Sequence, residues 1–183
     1  GNDIHGYDTR RKIIFPVLTL NDYDPTTIIA LDLSIADGKL YYSIFHNESL
    51  FSSIYEIPID GQIQEYPVAN QKKKLLLHDI KSQIEGISID WLAKHIYMTE
   101  ANRERIVVCH TESLICTTLI ENLPSPRGIV AVRSRYRLYW TQWHDNNGGI
   151  YESRLDGSQV TKLFTDVAWP NDIVYESETN RLY

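Results

Sequence analysis

The sequence predicts an all-β chain of repeated four-stranded antiparallel sheets, an incomplete β-propeller, and three observations lead there. The apolar residues are the kind a pleated surface selects: twenty-two Ile, twelve Tyr and four Trp against a single Met, a β-branched and aromatic bias. A two-strand pattern recurs. Ile28-Ile29-Ala30-Leu31-Asp32 precedes Gly38-Lys39-Leu40-Tyr41-Tyr42-Ser43, Gly86-Ile87-Ser88-Ile89-Asp90 precedes Lys94-His95-Ile96-Tyr97-Met98-Thr99, and Gly128-Ile129-Val130-Ala131-Val132 precedes Arg137-Leu138-Tyr139-Trp140-Thr141. Finally, the aligned tyrosines Tyr41, Tyr97, Tyr139 and Tyr183 are spaced by 56, 42 and 44 residues, and two of these steps match a propeller blade of about 40–45 residues.

Each repeat has one internal order. A short alternating strand is followed by a turn with Gly, Lys or Arg, then by the aromatic strand. Third strands are expected at Ser53–Ile57, Arg105–Cys109 and Gly149–Ser153. Polar turns such as Asp60-Gly61 and Asp156-Gly157 then lead into a fourth strand, for example Val160–Phe164, because Asp-Gly between alternating strands is a strong hairpin signal. The expected repeats are about residues 26–70, 84–122 and 126–166, with the start of a fourth at 170–183. Ile13–Leu20 reads as the remnant of an earlier hairpin. The long first step places an insertion of roughly a dozen residues in the first repeat.

Composition excludes several functions. Eighteen Lys+Arg against twenty-four Asp+Glu leave a net charge of −6, which disfavours nucleic-acid binding, since phosphate neutralisation needs clustered cations. The basic runs Arg10-Arg11-Lys12 and Lys72-Lys73-Lys74 read as solvated loops. The longest apolar stretch, Ile13–Leu20, contains Pro16 and falls far short of the roughly 18 residues needed to cross a bilayer. No Gly-rich phosphate loop, Gly-x-Ser-x-Gly elbow or His-Glu-x-x-His pattern is present. The histidines are scattered, two cysteines alone cannot hold zinc, and no cofactor is expected.

Two further features bear on chemistry. Asn47-Glu48-Ser49 is an N-glycosylation triplet in a polar loop after an aromatic strand. Cys109 and Cys116 flank a turn. A four-residue turn His110–Ser113 sets Val107 opposite Cys116 and Cys109 diagonal to it, whereas a two-residue Glu112-Ser113 loop sets the cysteines face to face within disulfide reach.

Leu138-Tyr139-Trp140-Thr141, the preceding Pro126-Arg127-Gly128-Ile129, the turn Leu155-Asp156-Gly157-Ser158 and Trp169-Pro170-Asn171 resemble the LDL-receptor class B, or YWTD, repeat. The resemblance runs from about Ile4 to Tyr183. It implies a six-bladed propeller, of which a chain this long supplies about three and a half blades, so a fragment of a longer protein is expected. Tyr42-Ser43-Ile44, Met98-Thr99-Glu100 and Trp140-Thr141-Gln142 all lack the family's aspartate at the last motif position, which puts its inter-blade tie in question here.

The resemblance also implies a function. The family's propellers occur in lipoprotein receptors, Wnt co-receptors and nidogen, so a non-enzymatic, extracellular binding module is expected. The parent would be a single-pass plasma-membrane receptor, endocytic or signalling, or a secreted matrix protein, and flanking EGF-like modules are implied. Protein ligands of lipoprotein or Wnt type are the implied partners. The gripping face should carry the loops that open each first strand and follow each aromatic strand, which hold Glu85, Arg127, Trp143, His144, Trp169 and Asn171. Trp169-Pro170-Asn171 reads equally as a loop-shaping element, and Trp143 as a blade cap. His144 is the histidine of that face, where the family's acid-triggered ligand release would act. The rival class is a metal-dependent propeller lactonase, with Glu85, Asn171 and Asp172 as candidate ligands.

Overall fold

A computed structural model describes residues 3–20, 25–59, 73–164, 167 and 169–183. The Asp60-Gly61 turn and Lys72 lie outside the described residues. The chain divides into two compact units, Gly1–Lys81 and Ser82–Tyr183. Among the described residues no helix is long and apolar enough to cross a membrane.

In the first unit, β1 (Asp3–Asp8) and β2 (Ile13–Thr19) form an antiparallel hairpin. The strands β3 (Thr26–Ser34), β4 (Lys39–His46), β5 (Phe51–Pro58) and β6 (Lys74–Ile80) then form a four-stranded antiparallel sheet in chain order. Residues 59–73 separate β5 from β6, so the extra length of this repeat falls there and its fourth strand lies beyond residue 70. Ile4, Leu20, Leu40, Tyr42, Ile44 and Ile57 form the core. Tyr42 is fully buried and stacks on its cross-strand partner Tyr55 with ring centres 5.6 Å apart, the kind of pair that stabilises a sheet beyond area burial.

In the second unit the pattern repeats twice. The strands β7 (Ile84–Asp90), β8 (His95–Glu100), β9 (Arg105–His110) and β10 (Cys116–Ile120) form one sheet. The next comprises β11 (Pro126–Val132), β12 (Arg137–Gln142), β13 (Gly149–Arg154) and β14 (Thr161–Phe164). A two-stranded hairpin of β15 (Tyr175–Glu176) and β16 (Arg181–Leu182) ends the chain. Every residue of β12 from Leu138 to Gln142 is buried, on both faces of the sheet, and Leu138, Trp140 and Thr141 are fully so. Trp140 stacks on Tyr151 at 5.7 Å, repeating the Tyr42–Tyr55 pair.

The first strands of successive sheets in this unit approach closely, which explains their glycines. A Cβ on Gly86 would lie 2.5 Å from the Arg127 carbonyl oxygen, and one on Gly128 would lie 2.6 Å from Asp172 Cα; only glycine fits at either place.

The ties between these sheets are side chains donating to, or accepting from, the next repeat. The Ala131 amide donates to Ser88 Oγ at 3.0 Å, and Arg133 Nη1 lies 2.6 Å from Asp90 Oδ2; each pair is 43 residues apart. Thr99 Oγ1 donates to the Arg127 carbonyl at 2.6 Å, and Thr141 Oγ1 to the Asn171 carbonyl at 3.3 Å. The residues at the last motif position bond inside their own sheet instead. Glu100 holds Arg105 through two contacts of 2.8 and 3.1 Å, and Gln142 Nε2 donates to the Asn147 carbonyl at 3.3 Å. The missing aspartate is thus replaced as a tie by hydroxyls one position earlier.

The cysteine register differs from the four-residue alternative. Cys109 and Cys116 are directly opposed, with Cα atoms 4.0 Å apart, and form a disulfide. The intervening turn closes through the His110 amide to the Ile115 carbonyl at 3.0 Å and the Leu114 amide to the His110 carbonyl at 2.9 Å, with Leu114 at φ 59°. The loop is therefore Thr111–Leu114, one residue further along than His110–Ser113. A one-residue displacement of the loop moves the facing partner by two, which brings the sulfurs together.

Candidate functional site

Four side chains from separate loops and strand ends meet at one end of the second unit. Glu85 is the second residue of β7, and Arg127 the second residue of β11. Trp143 directly follows β12, and its backbone amide donates to the Ser125 carbonyl at 3.1 Å, fixing the chain where it leaves the sheet. Trp169 precedes Pro170 in the segment leading to β15.

Arg127 is held on two sides. Its Nη1 lies 2.6 Å from Glu85 Oε2, and its Cζ sits 3.7 Å from the centre of the Trp143 ring. The Arg127 and Glu85 side chains are 22% and 11% exposed, so the pair is shielded enough for both contacts to count: a partly desolvated cation–π contact contributes about 1–2 kcal/mol. Arg127 Nε is buried and has no hydrogen-bond partner, leaving a donor over in an already ordered guanidinium. Trp169 meets Trp143 edge to face, with ring centres 5.6 Å apart and planes at 84°. The layered order is Glu85, Arg127, Trp143, Trp169. The outermost ring remains 56% exposed.

Trp169 has a left-handed backbone, with φ 52°. That region is costly for a bulky residue, and such strain persists only where the surroundings over-determine it. Here the next two residues are pinned. Trp143 Nε1 donates to the Pro170 carbonyl at 2.8 Å, and the Asn171 carbonyl accepts from the Gly128 amide at 3.1 Å as well as from Thr141. Trp143 therefore both stacks on Arg127 and anchors the loop that presents Trp169, so its loop-shaping and surface roles are one arrangement.

The remaining candidates are placed differently. Asn171 works through its main chain, and its side chain is exposed. His144 is exposed but turned onto its own loop: its Nδ1 accepts from the Asn146 amide at 3.3 Å and the Asn147 amide at 3.2 Å. It braces the turn that follows Trp143. Asn47 is exposed in the turn between β4 and β5.

Sequence reasoning assigned no positioning role to Thr99, Thr141 or Ser125, whose bonds hold the backbone under the stack, whereas Pro170 belongs to the loop-shaping element it did read. The threonine two residues after the aligned tyrosine, Thr99 after Tyr97 and Thr141 after Tyr139, was the available signal. Among the described residues no group of three or more His, Cys, Asp or Glu is placed to hold a metal. Glu85 is committed to Arg127, and Asp172 Oδ1 accepts from the Ile173 amide at 2.8 Å. The stack contains no nucleophile–base pair; what it offers is a rigid aromatic and cationic surface.

No protein-family model matches the chain. The vitellogenin receptor of Solenopsis invicta is 30% identical over 102 residues, covering 55% of this chain and 6% of that receptor. The human low-density lipoprotein receptor-related protein 5-like protein is 27% identical over 101 residues, covering 54% of this chain and 40% of that protein. The chain thus spans a small part of the first of these relatives and less than half of the second. Among solved structures, that of a nidogen/laminin complex superposes with a TM-score of 0.79 at 24% identity, over 95% of this chain and 60% of that one. A calcium-binding protein, regucalcin, from Agrobacterium tumefaciens str. C58 superposes with a TM-score of 0.72 at 13% identity, over 96% and 58%. At these identities the structural matches speak to the fold alone. In sequence the chain is similar to part of the vitellogenin receptor and of the low-density lipoprotein receptor-related protein 5-like protein, and in fold it is part of a β-propeller like that in the nidogen/laminin complex.

Proposed function

We propose that the chain is a ligand-binding propeller module of an extracellular receptor related to the low-density lipoprotein receptor, endocytic or signalling, and that a segment of a protein ligand docks on Glu85, Arg127, Trp143 and Trp169. The observation that carries this reading is the Arg127 guanidinium held between the Glu85 carboxylate and the Trp143 ring beneath an exposed Trp169. Trp and Arg dominate binding hot spots. Side chains ordered before binding lose little further entropy when a ligand arrives. The receptor homologues support the class, and the parent chain would supply EGF-like modules and a membrane span. A catalytic reading needs Glu85 and Asp172 free to share a metal; their bonds to Arg127 and to the Ile173 amide weigh against it.

The test is selection of a random-peptide phage library on the parent ectodomain. Enriched peptides should bind Trp143→Ala and Arg127→Ala at least 30-fold more weakly, the equivalent of about 2 kcal/mol, with binding to His78→Ala unchanged. Peptides that bind all three variants as they bind the parent would overturn the proposal.

A further inference from the structure

We infer that Asn47 carries an N-linked glycan, and that this sugar covers, on the sheet β3–β6, the loop position that carries Trp143 and His144 on the sheet β11–β14. The inference rests on the extracellular reading above, because the modification requires passage through the secretory route.

Asn47-Glu48-Ser49 is the single Asn-x-Ser/Thr triplet with a non-proline centre in the sequence. It lies in a tight turn. The Leu50 amide donates to the His46 carbonyl at 2.8 Å, Leu50 has φ 55°, and the Asn47 amide donates to the Pro25 carbonyl at 3.0 Å. Residues 47–50 are all exposed, so the acceptor amide and the Ser49 hydroxyl stand at the surface together. Asn47 Nδ2 donates to Thr27 Oγ1 at 3.3 Å, which points the carboxamide across the end of β3. In glycosylation, Nδ2 attacks the anomeric carbon of a lipid-pyrophosphate-linked oligosaccharide. The bond from that carbon to the pyrophosphate oxygen breaks, its electron pair leaves with the phosphate, and the amide gives up one proton. One N–H remains, sufficient to keep the bond to Thr27.

The surroundings suit a sugar. Leu50 is 63% exposed, and the half-buried Phe51 ring stacks on His46 at 4.3 Å beside it. The apolar faces of the first sugar residues have both to rest on. The repeat register gives the site its meaning. Asn47 stands six residues after Tyr41, and Asp145 six after Tyr139, so Phe45-His46 take the places of Trp143-His144. Phe45 is buried where Trp143 is partly exposed, so the position that presents an open indole in the later sheet presents no ring to solvent in this one.

The full parent chain, expressed in a secreting cell line, is digested with trypsin and treated with peptide N-glycosidase in heavy-oxygen water. The peptide holding Asn47 should appear as the heavy aspartate form only after the enzyme. Ser49→Ala should abolish that form, and Ser49→Thr should retain it at equal or higher occupancy, which keeps the test sound if Ser49→Ala folds poorly. Unmodified Asn47 on chains that have reached the cell surface overturns the glycan and leaves the receptor reading standing. A parent chain that never enters the secretory route overturns both.

Discussion

The sheets β7–β10 and β11–β14 share one topology, yet they are fastened by different chemistry. In β7–β10 the pair at the centre of the aromatic strand is Met98 opposite Val107, and the outer strand β10 is stapled to β9 by Cys109–Cys116. In β11–β14 the same pair is Trp140 stacked on Tyr151, and Lys162 of β14 lies 5.5 Å from the Tyr151 ring centre. The turn before β14 is closed by Asp156, whose Oδ1 accepts from the Ser158 amide at 2.9 Å and the Ser158 hydroxyl at 2.6 Å. Outer strands are the least buried of the four in both sheets. The inner strands are held by their neighbours, whereas an outer strand needs a fastening of its own, and either a covalent or an aromatic one serves.

The largest break in this comparison is Trp140→Ala. Trp140 is fully buried, and truncating it should cost about 3–5 kcal/mol in urea denaturation followed by far-ultraviolet circular dichroism. Met98→Leu, at the equivalent position, should cost less than about 1.5 kcal/mol. Equal costs would show that the aromatic stack is not what distinguishes the two sheets. Next comes the double substitution Cys109→Ser, Cys116→Ser, expected to cost about 2 kcal/mol. Hydrogen exchange should rise at β10 amides and stay unchanged at β14; a rise in both would mean that the strands are fastened together after all.

The smallest effect concerns acid. The hydroxyl and amide of Ser158 hold the Asp156 carboxyl below its usual value of 3.8. A carboxylate with a lowered folded pKa contributes stability above the unfolded value and loses it as pH falls through the folded one. The Asp156 turn should therefore stay closed at pH 5 and loosen only below 3.8. Exchange of the Ser158 amide between pH 7 and pH 3 measures this, and opening near pH 5 would refute it.

Much of this was legible in the residues themselves. The tyrosine spacing reports the sheets because every blade must bury the same aromatic strand, and Asp156-Gly157 reports its turn because Gly157 takes φ 81°. The residues left the facing of Cys109 and Cys116 open between two registers, and the structure has the one that opposes them. That register depends on Leu114 adopting a left-handed conformation, which residue type argues against. Trp169 hides its backbone in the same way. Glu85, Arg127, Trp143 and Trp169 were each readable as loop residues, but their stacking order arises from three connections brought together by folding. For His144, spacing gives the loop, and the structure adds that its Nδ1 accepts from the amides of Asn146 and Asn147.

The Thr99 hydroxyl donates to the Arg127 carbonyl and the Thr141 hydroxyl to the Asn171 carbonyl, the same tie at two successive repeats. Such a chain is modular in length. Duplicating one whole repeat restores the threonine tie between new neighbours, while gaining or losing a few residues inside an inner strand would pull the hydroxyl out of reach of its carbonyl. Tandem copying of a gene segment is therefore a gentle change for this architecture and small frame-preserving indels in its inner strands are harsh ones, with tolerance left to stretches such as residues 59–73, which lie between β5 and β6.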